Sequence, residues 1–219
     1  MLAIGDFVVQ SVVMDHSQWA SDNLQVIRTL MERSTLYRRA LAPIMLVAGA
    51  FGLAAAIGAC FVKLETNREF SLYWMSVGVL ATLASLLLVR RQALKEAEEF
   101  WSVPTRRVIR AVLPSFLGGL LAGILYALAP KALPESPWFL AIVWLVLYGC
   151  GMHAAGFFMK RGIKLFGWIF IIGGAALAYA TQLRPQLQTS ETAHYVMGIF
   201  FGVLHLACGI YLYVSENKK

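Results

Sequence analysis

"GFFMKRGIKLFGWIF", Gly156 to Phe170, decides how many times this chain crosses a membrane. Remove Lys160, Arg161 and Lys164, and residues 138–181 would read as one long apolar run. Three cations and Gly162 within five positions cannot lie in hydrocarbon, where each charge costs several kcal/mol, on the order of 3. They mark a tight turn at an interface. The run therefore splits into two membrane segments, 138–159 and 163–181.

Four further stretches are long enough to cross a bilayer, which takes about 20 helical residues. They lie near 41–62, 70–89, 112–130 and 194–214. Composition agrees, with 59% hydrophobic and only 14% charged residues and a mean hydropathy of +0.66. A soluble domain would carry about a quarter charged residues. The expected fold is all-α: a polytopic bundle of six transmembrane helices. The expected organisation is an N-terminal arm, 1–40, a membrane domain, 41–214, and a short tail, 215–219. Residues 1–14 carry Asp6 and lack a basic n-region, so no cleavable signal peptide is expected.

The basic residues give an orientation. Arg28, Arg33, Arg38 and Arg39 precede the first span. Arg90, Arg91, Lys95, Arg106, Arg107 and Arg110 lie between the second and third. Lys160, Arg161 and Lys164 lie between the fourth and fifth, and Lys218 and Lys219 end the chain. All of these fall on one side. Only Lys63, Arg68, Lys131 and Arg184 fall on the other. That asymmetry predicts a multi-pass protein of the plasma (inner) membrane with both termini cytoplasmic. The net charge of +7 then faces anionic lipid headgroups, and nucleic acid is not an expected partner. Trp74 and Trp138, near span ends, read as interfacial anchors, as do Tyr211 and Tyr213.

Two segments outside the spans have patterns of their own. In residues 22–40, Leu24, Ile27, Leu30, Met31 and Tyr37 recur at threes and fours, predicting an amphipathic helix on the cytoplasmic headgroups. The loop 90–111 reads as a charged helical piece, "RRQALKEAEEFW", a break at "SVPT", and a second piece, "RRVIRA". Either segment could dock a soluble or membrane protein partner. "RALAP", Arg39–Pro43, echoes "RAVLP", Arg110–Pro114, and places each proline in the first turn of its span.

Small residues recur at fours: Ala48, Gly52 and Ala56; Gly119, Gly123 and Ala127; Gly174 and Ala178; Gly198 and Gly202. Such stripes let helices approach closely, and intramolecular packing is their expected use. Gly149, His153 and Gly156 share one helical face, as do Gly198, Gly202, His205 and Gly209. Both imidazoles should therefore point into the bundle, where each needs a partner.

Cys150 precedes His153 by three residues, and Cys208 follows His205 by three. Measured from the cytoplasmic boundary at 1.5 Å per residue, all four lie about 10 to 16 Å deep. If spans four and six touch, Cys150, His153, His205 and Cys208 form a two-sulfur, two-nitrogen set that suits Zn²⁺ or Cu(I). His153 and His205 alone would suit the two axial positions of a b-type haem. Packing of neutral histidines against a helix interface accounts for the same residues without a ligand.

No span carries Asp or Glu, and no catalytic constellation sits at a watery site. An enzyme is therefore not the expectation. The expected function is a non-enzymatic regulatory or assembly subunit working through 22–40 and 90–111; the alternatives are a metal- or haem-binding protein and a small transporter for a neutral or hydrophobic substrate.

Overall fold

The computed structural model describes residues 23–24, 35–95, 97, 100–128, 136–159 and 161–217. The chain divides into two units, Met1–Leu36 and Tyr37–Lys219. Most of the amphipathic helix expected over 22–40 lies outside the described residues. Asn23, Leu24 and the stretch from Thr35 onward are helical.

All the regular elements among the described residues are helices, with no strand. The helices are α1 (Thr35–Ala59), α2 (Asn67–Lys95), α3 (Val103–Leu128), α4 (Trp138–Ala155), α5 (Arg161–Leu183), α6 (Ser190–Met197) and α7 (His205–Asn217). A π-helical segment, Gly198–Leu204, joins α6 to α7. Six stretches are long and apolar enough to cross a membrane: Leu41–Ala59, Asn67–Lys95, Thr105–Leu128, Trp138–Ala155, Gly162–Leu183 and Ser190–Ser215. This is a multi-pass helical membrane protein.

The helix ends depart from the hydropathy reading for local chemical reasons. α2 starts three residues before the expected position because Thr66 and Glu69 form a capping box. The Thr66 hydroxyl oxygen accepts from the Glu69 N–H at 3.2 Å, and Glu69 Oε2 accepts from the Thr66 N–H at 3.1 Å. Thr189 likewise caps α6, accepting from the Thr192 N–H at 3.1 Å. At its other end α2 runs on to Lys95 and α3 opens at Val103, so the two helical pieces read over 90–111 are the end of α2 and the start of α3, and the break ends at Ser102, before its expected place. Pro43 lies inside α1 but in the first turn of the span Leu41–Ala59, as expected, whereas Pro114 lies well inside both α3 and its span. Each removes one backbone donor from the helix interior.

The turn read from Lys160 to Lys164 is real but falls earlier. α4 ends at Ala155, and Gly156 begins the turn. A Cβ at Gly156 would lie 2.7 Å from the Lys164 backbone nitrogen, so only glycine lets α5 fold back this closely. The Lys164 ammonium sits 3.6 Å from the Phe157 ring centroid.

The small-residue stripes form two close seams. Gly49 and Gly52 of α1 meet Leu206, Phe201 and Gly202, while Gly198, Gly202 and Gly209 meet Ala56, Leu53 and Leu46 of α1. Gly149 of α4 meets Gly167 and Ile171 of α5, and Gly167 returns the contact to His153. The approach is backbone to backbone, as packing in lipid requires. Neighbouring α3 and α4 run antiparallel, with Gly151 beside Ser115 and Gly119 beside Trp144.

Trp74 and Trp138 are not interfacial anchors. Both are buried, and Trp138 is fully enclosed. Tyr211 and Tyr213 are exposed.

Candidate functional site

α2 is attached at its two ends and stands off in the middle. Near its start Phe70 is fully buried, the Ser71 hydroxyl donates to the Gly123 carbonyl at 2.6 Å, and Trp74 Nε1–H donates to His194 Nδ1 at 2.9 Å. Near its end Val89 and Ala93 are buried. Between them Gly78 has open space where a Cβ would point.

The gap is a cavity of about 600 Å³, within the usual range for small-molecule sites, roughly 300–1,000 Å³. Its walls come from α1 (Met45, Ala48), α2 (Gly78, Thr82, Ser85), α3 (Val112, Ser115, Gly119) and α4 (Trp144, Tyr148, Met152). Phe201 and His205 close it from the last span. Val79, Leu83, Leu117 and Leu120, exposed mid-helix residues of α2 and α3, also border it. The mouth therefore opens between α2 and α3, halfway along the spans.

Five of the chain's eight methionines, Met45, Met75, Met152, Met159 and Met197, line this cavity. Methionine is flexible and polarizable, and it suits apolar surfaces that adapt to their contents. No Asp, Glu, Lys or Arg is among the lining residues.

His205 is fixed at the cavity wall by both ring nitrogens. Nδ1 lies 2.9 Å from the Phe200 carbonyl, which can only accept, so Nδ1 carries the proton. Nε2 of the neutral ring is then the acceptor, and the Tyr148 hydroxyl donates to it at 2.6 Å. Phe166, Phe170 and Phe201 surround the imidazole, with ring centroids 4.9, 5.5 and 5.9 Å away. The carbonyl that holds Nδ1 belongs to the π-helical segment. π turns widen a helix locally and change which residues share a face. The glycines of this span accordingly face α1, while His205 faces α4 and α5.

His153 occupies a different place. It packs edge-on against Phe157 and Trp168, at 5.4 and 5.2 Å, on the α5 side of α4. Its Nδ1 is buried with no hydrogen-bond partner among the described residues. Cys150 is exposed on the outer surface of the bundle, and Cys208 is half-buried.

The four residues expected to converge are thus dispersed. No group of three or more His, Cys, Asp or Glu is placed to hold a metal among the described residues, which corrects the Zn²⁺ or Cu(I) set of Cys150, His153, His205 and Cys208. Spacing of three brings Cys150 near His153 in angle, yet Cys150 is exposed while His153 packs against Phe157 and Trp168. The haem pair fares no better. Tyr148 and His153 are five residues apart on α4 and project about 140° from one another. His205 sits on the Tyr148 side with both nitrogens engaged.

The sequence reading missed Tyr148, Ser115 and His194. Tyr148 and Ser115 carried a usable signal, being polar groups in the middle of apolar spans. His194 had none, since only folding brings it to Trp74 and, by Nε2–H at 3.3 Å, to the Leu64 carbonyl.

Comparison with known protein families, with characterised proteins and with solved structures finds no match for this chain.

Proposed function

We propose that the protein is a non-enzymatic carrier or binder of a neutral, hydrophobic molecule within the plasma (inner) membrane, with both termini cytoplasmic. The observation that carries this reading is the cavity of about 600 Å³ between α2 and the rest of the bundle. Its walls are apolar and methionine-rich, without a charged side chain, and its mouth is at the level of the acyl chains. A solute already dissolved in hydrocarbon can enter there without crossing a polar layer. The clustering of Arg and Lys in the segments before span one and between spans two and three and four and five supports the orientation. A metal or haem function has no assembled ligand set to support it. A regulatory or assembly subunit working through 22–40 and 90–111 is a separate reading, on which the cavity does not bear.

Gly78→Phe tests the reading. The new ring enters open space, so it fills the cavity without displacing the backbone. Native mass spectrometry of the purified protein should show one saturable apolar ligand per chain, lost in Gly78→Phe. Binding that is absent in the parent, or unchanged in the variant, would overturn the proposal.

A further inference from the structure

The hydrogen-bonding groups of the cavity wall are unequal in what they can offer. The Thr82 and Ser85 hydroxyls donate to the Gly78 and Ala81 carbonyls of their own helix, each at 2.7 Å. Trp144 Nε1–H donates to the Gly119 carbonyl at 2.8 Å, and Trp74 is held by His194. Thr105 Oγ1 pairs with Ser102 Oγ at 2.9 Å. Tyr148 donates to His205, and His205 to Phe200. Each of these donors is engaged, apart from the Ser102–Thr105 pair, in which either hydroxyl can be the donor.

Ser115 differs from all of these. It lines the cavity and makes no hydrogen bond among the described residues, so its hydroxyl is free both to donate and to accept. Ser115 and Tyr148 both line this cavity, from the neighbouring helices α3 and α4. A Cβ on Gly151, one turn past Tyr148, would be 3.2 Å from the Ser115 Cβ, and the neighbouring Phe116 ring stacks on Tyr148 at 5.8 Å. Having donated its proton, the Tyr148 oxygen keeps acceptor capacity. At Ser115 and Tyr148 the wall thus presents a free donor beside acceptors on facing helices.

We propose that this cavity selects a long-chain alcohol: an uncharged lipid whose hydroxyl accepts from Ser115 and donates to the Tyr148 oxygen, its chain lying along α2. The inference rests on the reading of the cavity as a ligand site. A carboxylate or phosphate head would bring a charge into a wall with no counter-charge. An ether or ester could accept from Ser115 but would leave the Tyr148 acceptor unused.

The test compares tetradecanol, its methyl ether and tetradecane, each at a fixed mole fraction in detergent micelles, with occupancy read by native mass spectrometry. The alcohol should bind about tenfold tighter than the ether, the weight of one net hydrogen bond. Ser115→Ala, which removes no internal hydrogen bond, should weaken the alcohol and the ether alike and leave tetradecane binding unchanged. If all three bind alike and Ser115→Ala changes nothing, the selectivity is wrong and the apolar site stands. If myristate anion binds tighter than the alcohol, the selectivity is likewise overturned. If none of the ligands binds, the cavity reading falls with it.

Discussion

α4 and α2 are both apolar helices of one bundle, and they are built to opposite ends. In α4's span 44% of the most apolar window is buried inside the protein, against 11% in α2's. α4 is seamed to α5 through Gly149 and Gly167, with backbones in direct contact. α2 is tied down at Phe70, Ser71 and Trp74 and again at Val89 and Ala93, with a glycine facing empty space between. In lipid no hydrophobic force closes such a gap, because hydrocarbon wets it as well as leucine does. Close packing in this molecule is made where small residues permit it, and the open region persists where they are not matched by a neighbour. Glycine therefore has two meanings here, contact at 149 and 167 and vacancy at 78.

The largest effect should come from the seam. In Gly167→Val the Cβ alone would stand 2.6 Å from the His153 nitrogen and 2.7 Å from the Gly149 oxygen. Both are backbone atoms and cannot rotate aside. We expect a loss of about 3 kcal/mol or more, read as a collapse in the yield of folded protein and in resistance to denaturing detergent. A variant as stable as the parent would mean that α4 and α5 do not pack this closely, and the contrast with α2 would lose its firm half.

The two histidines sharpen the same contrast within α4's own surroundings. His205→Leu strands the Tyr148 hydroxyl and the Phe200 carbonyl together. It should cost about 2 to 3 kcal/mol, since each abandoned buried group loses its partner. His153→Leu removes a buried nitrogen that has no partner among the described residues. It should change stability by no more than about 0.5 kcal/mol in either direction. Equal effects of the two substitutions, measured by thermal unfolding in the same detergent, would refute the assignment of His205 as the fixed member and His153 as the idle one.

The sequence carries the number of spans because hydropathy and interrupting cations are local properties, as Lys160 and Arg161 illustrate. It also carries the seams, since glycines at fours act only through their own helix face. The helix starts were misplaced because polar caps such as Thr66 and Thr189 lie outside the apolar run that hydropathy detects. The grouping of Cys150, His153, His205 and Cys208 failed for a geometric reason. A regular 3.6-residue period assigns His205 to the glycine face, and the π segment turns it elsewhere. Cys150 shows a second limit: residues three apart are neighbours, yet one can face lipid while the other faces protein. The cavity itself has no local signature. It exists because two distant pairs of contacts hold α2 away from α1 and α3, and its five methionines are scattered between positions 45 and 197, so only folding gathers them.

The smallest effect is the most discriminating. Gly78→Leu should not destabilise the protein at all. Glycine inside a helix is unfavourable by about 0.5 to 1 kcal/mol relative to better helix formers, and the new side chain would meet no atom within 4 Å of its Cβ. The expected outcome is a slight gain in thermal stability with a loss of apolar ligand binding. At Gly167 an added methyl group breaks the fold, while at Gly78 a whole isobutyl group is accommodated, and the two differ only in what the rest of the chain has placed opposite. Should Gly78→Leu destabilise as Gly167→Val does, α2 must lie against its neighbours along its full length. The cavity, and the function argued from it, would then have no room.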